Sequence, residues 1–344
     1  MAAKKLTETQ LAGLVDGLIS AGRVEGVVEK GEGRFVFGPL GSADELRLDY
    51  DVTIIPPKKY FQPAREVLMT FRVKGGEFEP AAPPEPLTLI GVHPYDLTAI
   101  NQMDRIFSED NYDAQYMARR EATRIIAVEP QNASAGCFAV SMGSTRPEVG
   151  YDLYLTRVPD GWLAEVGTAE GGKMLKAHAP GAADATKADL AARDAARVEA
   201  EAKMSAQELG FDASEIPSML DGAEDHPVFE QRAERCFSCG SCNLVCPTCY
   251  CFDVQDEVDW DLAGGRRVRC WDGCLLAEFA SVAGGHNFRR TRADRFRHRV
   301  YRKGKYIPDK IGELACVGCG RCVNACVADI ANPVAIFREI KGVE

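Results

Sequence analysis

The first half of the chain alternates between two hydrophobic periodicities. A capping box formed by Thr7 and Gln10 opens a first helix, and apolar residues three or four positions apart predict further helices at 63–70, 96–107 and 112–121. Between the helices, β-rich runs predict strands at 34–37, 52–55, 87–92, 124–128 and 151–155. The alternation predicts a mixed α/β domain over residues 1–170 and leaves open whether its sheet is fully parallel.

The pattern changes after this domain. Residues 171–225 are rich in Ala, Asp, Glu and Lys, and the stretch 190–209 predicts a helix with charged faces that acts as a solvated connector. Residues 226–344 carry nearly all the cysteines, and little in them alternates like a strand. The predicted fold class is therefore α+β: the mixed α/β domain, the helical connector, and a helical dicluster ferredoxin-like domain.

Composition and charge exclude several classes of protein. The chain has 344 residues, 46% hydrophobic and 27% charged, with a formal net charge of -10. So acidic a chain is a poor ligand for nucleic acid, and no apolar run approaches the roughly 20 residues that span a bilayer. The N-terminal sequence runs into an amphipathic helix and does not resemble a signal peptide, which predicts a cytoplasmic location.

Cysteine spacing is the most specific signal in the sequence. Twelve of the thirteen cysteines lie between Cys236 and Cys326, and eight of them form two runs of the pattern C-x2-C-x2-C-x3-C. In two-cluster ferredoxins such a run gives three thiolates to one [4Fe-4S] cluster and its fourth to the other. The predicted ligands are Cys236, Cys239, Cys242 and Cys326 for the first cluster, and Cys316, Cys319, Cys322 and Cys246 for the second. Structural zinc and disulfides are the alternatives, and neither needs this spacing in both halves.

Four more cysteines lie between the two runs. Cys249, Cys251, Cys270 and Cys274 either hold a third iron–sulfur cluster or pack as small buried hydrophobic residues, and the arithmetic of three sets of four favours a cluster. The last two are four positions apart, which on a helix would point both thiols the same way. Cys137, alone in the first domain, is predicted to be a core residue.

A basic run at 289–305 contains nine Lys or Arg residues and one Asp. Its aromatic residues recur at helical spacings, which predicts a helix packed on the domain and favours an internal or subunit-docking role over nucleic-acid binding. The five histidines have no mutual spacing typical of a metal site and are interpreted as structural or surface groups.

The motifs CPTCYCFDV, RCWDGC, RFRHRVYRKGKY and CVGCGRC together resemble the beta-subunit family of sulfhydrogenases, which includes an iron–sulfur component of anaerobic sulfite reductase and electron-transfer partners of heterodisulfide reductases. The resemblance extends to GVHPYDLTAI at 91–100, RRE at 119–121 and GCFAVSMGS at 136–144. It implies a hetero-oligomeric iron–sulfur subunit that relays electrons between a flavin/NAD(P)-binding subunit and a catalytic subunit. Relatives with a further cluster carry cysteines where this chain has Tyr95 and Ala139, so none is expected in the first domain.

A non-catalytic electron relay is therefore the leading hypothesis, and no flavin is expected on this chain because no dinucleotide-binding motif is present. The alternative is a substrate- or flavin-binding reductase subunit whose α/β domain carries out chemistry fed by the clusters. For that alternative Tyr95 and Asp96 are the first candidates, because they follow the strand predicted at 87–92. Against this alternative, Asp96 is well explained as the N-cap of the following helix. A purely structural iron–sulfur scaffold is the third possibility.

Overall fold

The structure, a computed structural model, describes residues 2–343. Its strands are β1 (Ala3–Leu6), β2 (Val24–Glu29), β3 (Phe35–Pro39), β4 (Arg65–Arg72), β5 (Glu77–Pro80), β6 (Leu87–Val92), β7 (Thr123–Val128), β8 (Leu153–Val158), β9 (Gly161–Val166), β10 (Ala183–Asp184), β11 (Phe252–Val258) and β12 (Gly264–Trp271).

Its α-helices are α1 (Glu8–Ala21), α2 (Lys58–Phe61), α3 (Pro94–Ser108), α4 (Ala114–Ala122), α5 (Ala169–His178), α6 (Lys187–Met204), α7 (Ile216–Met219), α8 (Val228–Arg235), α9 (Ser241–Leu244), α10 (Arg292–Tyr301), α11 (Ile307–Ile311), α12 (Arg321–Asn324) and α13 (Pro333–Lys341). A π-helical turn at Arg302–Tyr306 joins α10 to α11. No helix in this part of the chain is long and apolar enough to cross a membrane.

The larger sheet has eight strands in the order β10-β1-β9-β8-β7-β6-β2-β3. Its centre is parallel, because β2, β6, β7 and β8 run side by side in one direction. The strands at both ends pair antiparallel, so the sheet is mixed, which answers the question that the sequence left open. The central strands are buried on both faces, as their continuous apolar runs require.

Local signals place several helices correctly. The predicted capping box is present at α1, where Thr7 Oγ1 accepts from the Gln10 amide and the Gln10 side chain accepts from the Thr7 amide. The buried face of α1 includes Leu11, Val15 and Leu18, the residues that an amphipathic helix would turn inward. Helix α3 likewise covers the predicted range 96–107, and α4 covers all but the first two residues of the predicted range 112–121.

The second sheet corrects two predictions. It is antiparallel, in the order β11-β12-β4-β5. Residues 63–70, predicted as a helix, lie mostly in β4, and the stretch between the cysteine runs, predicted to be helical, forms the hairpin β11–β12. Strand β12 pairs with β4 across about 200 positions of sequence, from Gly264 opposite Arg72 to Cys270 opposite Arg65. Local periodicity could not reveal this pairing because its partners are so distant.

A third correction concerns residues 52–55, which were predicted as a strand. They form no ladder, and only Thr53 makes an isolated bridge, to Phe35. The predicted helical character of the C-terminal domain is not confirmed as stated: helices α8 to α13 are present, but the hairpin interrupts them. The predicted domain boundaries at 170 and 225 stay predictions. Strands β4 and β12, which lie on opposite sides of these boundaries in the sequence, belong to one sheet.

A buried ionic cluster fastens the hairpin to the α/β domain. Arg269 on β12 is 3% exposed and donates from Nε to Glu66 Oε1 at 2.6 Å, and it also pairs with Asp113 at the start of α4. Arg119 on α4 reaches the other Glu66 oxygen at 2.5 Å. Because breaking such a pair leaves a buried charge uncompensated, the cluster fixes the position of β12 and of the cysteines that flank it.

Candidate metal centre

The two cysteine runs have the same backbone geometry. Ser238 and Gly318, each two residues after the first cysteine of its run, have positive φ of 52° and 65°. Gly240 and Gly320 follow with φ of 73° and 77° and precede the short helices α9 and α12. The sequence repeat therefore corresponds to a structural repeat, in which a left-handed turn leads into one turn of helix.

The second run and the last cysteine of the first run line one cavity. Cys246, Cys316, Cys319 and Cys322 all contribute to its wall, which is otherwise mostly apolar. The other residues lining it are Phe138, Pro247, Arg299, Val300, Lys303, Val317, Gly318, Gly320, Pro333, Ile336 and Phe337. Four thiols thus surround an apolar space, and one of them comes from about 70 residues earlier in the chain than the other three.

The electrostatics of these thiols reflect their burial. Burial raises the pKa of Cys316 and of Cys319 to about 12, and the nearby Cys246 thiolate contributes to both shifts in the same direction. The pKa of Cys322 is raised to about 11, again chiefly by burial, against the lowering effect of Arg299. A thiol in such surroundings is inert until a positive centre stabilises its thiolate.

The first run likewise has a cysteine of the other run beside it, namely Cys326. Burial raises the pKa of Cys242 to about 11, and among the charges that act on it are those of Cys326 and Cys236. Cys326 lies next to the first run, since Arg235 Nη2 donates to the carbonyl of Ala328 at 2.8 Å. Cys239 differs from its neighbours in being exposed, and hydrogen bonds from Ser241 lower its pKa.

The four remaining cysteines are arranged around Asn243 and the hairpin. Asn243 Nδ2 lies 3.4 Å from Cys274 Sγ and 3.7 Å from Cys249 Sγ, and the charge of Cys274 acts on Cys251. Cys270 is on β12, so the helical geometry considered for Cys270 and Cys274 does not apply. The amide of Asp272 donates to the carbonyl of Cys251, which places Cys251 and Cys270 on the same face of the hairpin.

Three buried cations stand among these thiols. Lys58 Nζ donates to the carbonyl of Cys249 at 2.7 Å, Lys303 Nζ to Thr248 Oγ1 at 2.6 Å, and Arg299 Nη2 to the carbonyl of Cys242 at 3.1 Å. None of the three has a carboxylate partner within residues 2–343, and Arg299 Nε has no hydrogen-bond acceptor there. Buried charges require compensation, and the anions that act on these cations are the cysteine thiolates.

The pKa shifts of the lysines follow from this arrangement. Burial would lower the pKa of Lys303, but the nearby Cys246 and Cys249 side chains outweigh it and raise the pKa. At Lys58 burial prevails and lowers the pKa to about 8, although the same side chains act in the opposite sense. Cys246 and Cys249 act on both lysines. The two lysines differ in whether this interaction or burial has the larger effect on the pKa.

The donor set fits negatively charged iron–sulfur clusters. Thiolates grouped in fours, left-handed turns that lead into short helices, an apolar wall and unpaired buried cations are what such a cluster requires. Within residues 2–343 no three His, Cys, Asp or Glu side chains converge closely enough to share a single metal ion. A cubane cluster takes one thiolate per iron, so its four ligands surround the cube and do not converge on one atom.

A buried ion pair joins the second run to the α/β domain. Arg321, between Cys319 and Cys322, donates to both carboxylate oxygens of Asp96 at 2.6 Å, to the carbonyl of Thr53 at 2.8 Å and to Thr53 Oγ1 at 2.9 Å. The N-cap of α3 is His93, so the interpretation of Asp96 as an N-cap is wrong. Asp96 is 0% exposed and Tyr95 is 1% exposed, so neither is open to a substrate.

The loop 134–144 of the first domain packs directly on the second run. The Phe138 amide donates to the Gly318 carbonyl at 2.8 Å, and Ser144 Oγ donates to the Val317 carbonyl at 2.7 Å. A Cβ on Gly318 would lie 2.6 Å from the Phe138 backbone, so glycine is required there. Cys137 is fully buried in this loop, as expected of a core residue, and burial raises its pKa to about 12.

Comparison with known proteins identifies the family. The family model described as a 4Fe-4S dicluster domain matches residues 235–330, which include both cysteine runs and the hairpin between them. Over 325 residues the chain is 35% identical to sulfhydrogenase 2 subunit beta of Pyrococcus furiosus, with 94% of each chain covered. The chain belongs to the sulfhydrogenase beta-subunit family. The predicted resemblance is thereby confirmed, and this beta-subunit homologue is an iron–sulfur protein of the electron-transfer type.

The sequence alone predicted the cysteine cluster ligands of this chain, but it did not identify the charged residues around them. Arg299 and Lys303 were seen only as members of a basic run, and Lys58 and Arg321 were not singled out. One signal was available for the last of these, because Arg321 interrupts the second run at a position where the first run has Ser241. Lys58 lies 191 positions from its partner Cys249, and no local pattern could connect them.

Proposed function

We propose that the chain is the iron–sulfur electron-transfer subunit of a hetero-oligomeric oxidoreductase, relaying electrons between a flavin/NAD(P)-binding subunit and a catalytic subunit. The catalytic subunit would be of hydrogenase, sulfite reductase or heterodisulfide-reductase type. A bound [4Fe-4S] cluster supplies reversible one-electron chemistry. The protein residues hold the thiolates, exclude water from the second set and balance its charge.

The proposed ligand sets follow the crossover pattern. Cys236, Cys239, Cys242 and Cys326 would hold one cluster, and Cys316, Cys319, Cys322 and Cys246 the other. The observation that carries the proposal is the apolar cavity whose wall contains all four members of the second set. The packing of Cys326 against the buried cluster that contains Cys236 and Cys242 supports the reciprocal exchange in the first set.

A third cluster would be held by Cys249, Cys251, Cys270 and Cys274. Support comes from the contacts of Asn243 with Cys249 and Cys274, and from the shared face of Cys251 and Cys270. Against a simple packing role, Cys251 and Cys270 are only partly buried. A small hydrophobic residue in a core would be enclosed more completely.

The alternative, a reductase subunit with chemistry in its α/β domain, is less well supported. The turn after β6, where an open α/β sheet binds ligands, is covered by Arg321 of the second cysteine run. Its candidate residues Tyr95 and Asp96 are enclosed, and the Tyr95 hydroxyl is already bonded to His93 Nδ1 and the Asp51 carbonyl. We therefore expect no flavin on this chain.

Reconstitution with its partners tests the relay. The purified chain alone should not oxidise NADH or NADPH with an artificial electron acceptor, because the proposed relay leaves hydride transfer to the flavin subunit. Mixed with its flavin subunit, it should be reduced by NADH or NADPH, seen as bleaching of the cluster absorbance, and should then reduce the catalytic subunit. Rapid NAD(P)H oxidation by the single chain would refute the relay in favour of the reductase alternative.

A further inference from the structure

One of the two cysteine sets reaches the protein surface. Cys239 is exposed, whereas the cysteines of the second set line one cavity, with Cys319 buried and the other three partly buried. Beside Cys236 and Cys326 the chain exposes apolar side chains: Phe237 is 71% exposed and Val327 is 89% exposed. Apolar groups at such exposure cost solvation free energy, and a cluster of them next to a redox centre indicates contact with another molecule.

Hydrogen bonds show that these residues share one surface. Arg235 donates to the Ala328 carbonyl, which brings the segment after Cys326 beside the start of the first run. Arg295 donates to Ser238 Oγ at 3.1 Å and to the carbonyls of Arg289 and Arg290 at 3.1 and 2.7 Å. The guanidinium group of Arg295 therefore bridges the loop before α10 and the turn that carries Phe237 and Cys239. Phe288, in the same loop, is 69% exposed.

The rim of this surface is basic. Residues 234–241, 287–292 and 326–329 contain four arginines against one glutamate and one aspartate, in a chain whose net charge is -10. Arg290 and Arg292 are exposed, and neither has an ion-pair partner in the described part of the chain. A local positive field on an acidic protein selects partners with an acidic face and accelerates their encounter.

We propose that the Phe237 surface, made of Phe237, Cys239, Phe288, Arg290, Arg292 and Val327, is the docking site for a small acidic electron-carrier protein of the ferredoxin type. The inference rests on the proposed relay function and adds a place on the surface where electrons enter the chain. A few apolar residues with a charged rim suit a brief encounter, whereas permanent subunit interfaces are larger and more apolar. One electron passes from the reduced carrier to the cluster held by Cys239, and no bond forms or breaks.

Charge reversal at the rim tests the proposal. The full-length, cluster-loaded chain is compared with an Arg290→Glu/Arg292→Glu variant, using an acidic [4Fe-4S] ferredoxin as the probe. Binding is measured by biolayer interferometry at low salt, and reduction of the chain by reduced ferredoxin is measured by stopped flow. We expect the association rate and the reduction rate to fall at least about tenfold in the variant, and the difference to vanish at about 0.5 M salt.

Two further variants sharpen the test. Arg72→Glu/Lys74→Glu makes the same charge change on the exposed β4–β5 turn and should leave both rates at the wild-type value. Phe237→Ala should weaken binding about tenfold through faster dissociation, because it removes the apolar centre. Equal effects of the two charge-reversed variants, or none, would overturn the docking site. Reduction by dithionite separates the two proposals, since a chain that dithionite cannot reduce contradicts the relay itself.

Discussion

The ion pair between Arg321 and Asp96 should be the strongest single link between the second cysteine run and the α/β domain. Arg321 makes four hydrogen bonds, two to Asp96 and two to Thr53, and all three residues are at most 2% exposed. Replacing Arg321 with Met leaves the Asp96 carboxylate buried without a counter-charge. Removal of one partner from a buried pair costs about 3–5 kcal/mol.

A double-mutant cycle gives the magnitude more sharply. Asp96→Leu alone leaves the guanidinium buried and should cost about the same 3–5 kcal/mol. The double variant removes both charges together with the bonds between them and leaves only the carbonyl and hydroxyl of Thr53 without their partner, so it should cost about 1–3 kcal/mol. The coupling between the two positions is then several kcal/mol, because the singles together cost far more than the double.

Anaerobic urea unfolding of the cluster-loaded chain measures these costs, with circular dichroism and cluster absorbance recorded together. Arg267→Met is the matched control, because Arg267 pairs with Asp256 on the exposed hairpin and each side chain is 45% exposed. That change should cost less than about 1 kcal/mol. A cost below about 1 kcal/mol for Arg321→Met, or additive single costs, would show that the pair does not hold the two parts together.

Three further predictions concern the clusters and pH. The anaerobically purified chain should contain about twelve irons, because twelve cysteines divide into three sets of four, and a reproducible value near eight would return Cys249, Cys251, Cys270 and Cys274 to packing. Cys326→Ser should perturb the electron paramagnetic resonance signal of the cluster held by the Cys236 triplet and spare the one held by the Cys316 triplet. Burial raises the pKa of Glu129 to about 7, so the folded state retains a proton that the unfolded chain releases near pH 4.5. Unfolding free energy should therefore fall as pH rises from about 5 to 7, by at most about 1.4 kcal/mol per unit, and Glu129→Gln should abolish this slope.

Short-range signals in the sequence predicted the parts of the structure that depend on near neighbours. The Thr7–Gln10 capping box, α3 and strands β6 and β7 each follow from residues only a few positions apart, whereas β2, in the same sheet, was not predicted. The cysteine runs belong to the same class, because a cluster constrains thiol spacing along the chain. These features could be predicted without knowing what packs on them.

The features that were missed depend on residues far apart in sequence. Strand β4 has a helical pattern of apolar residues, and it is a strand because it pairs with β12 on one side and with β5 on the other. The Arg321–Asp96 pair spans 225 positions, and the contact of Lys58 with Cys249 spans 191. A single sequence contains no periodicity that relates such positions, so the surroundings of the cysteines could be found only in the structure.

The α/β domain packs against the second cysteine run and covers part of it. The turn after β6, which an open sheet would offer to a ligand, is closed by Arg321, and loop 134–144 covers the remainder of the second run. In the first run, with the same spacing and backbone, Cys236 and Cys242 are buried but Cys239 stays exposed. Solvent exposure is one of the properties that set the reduction potential of a cluster. The two runs of one sequence pattern thus lie in different environments, since the α/β domain packs on the second run and Cys239 of the first run is exposed, and this asymmetry gives the proposed relay an inner and an outer end.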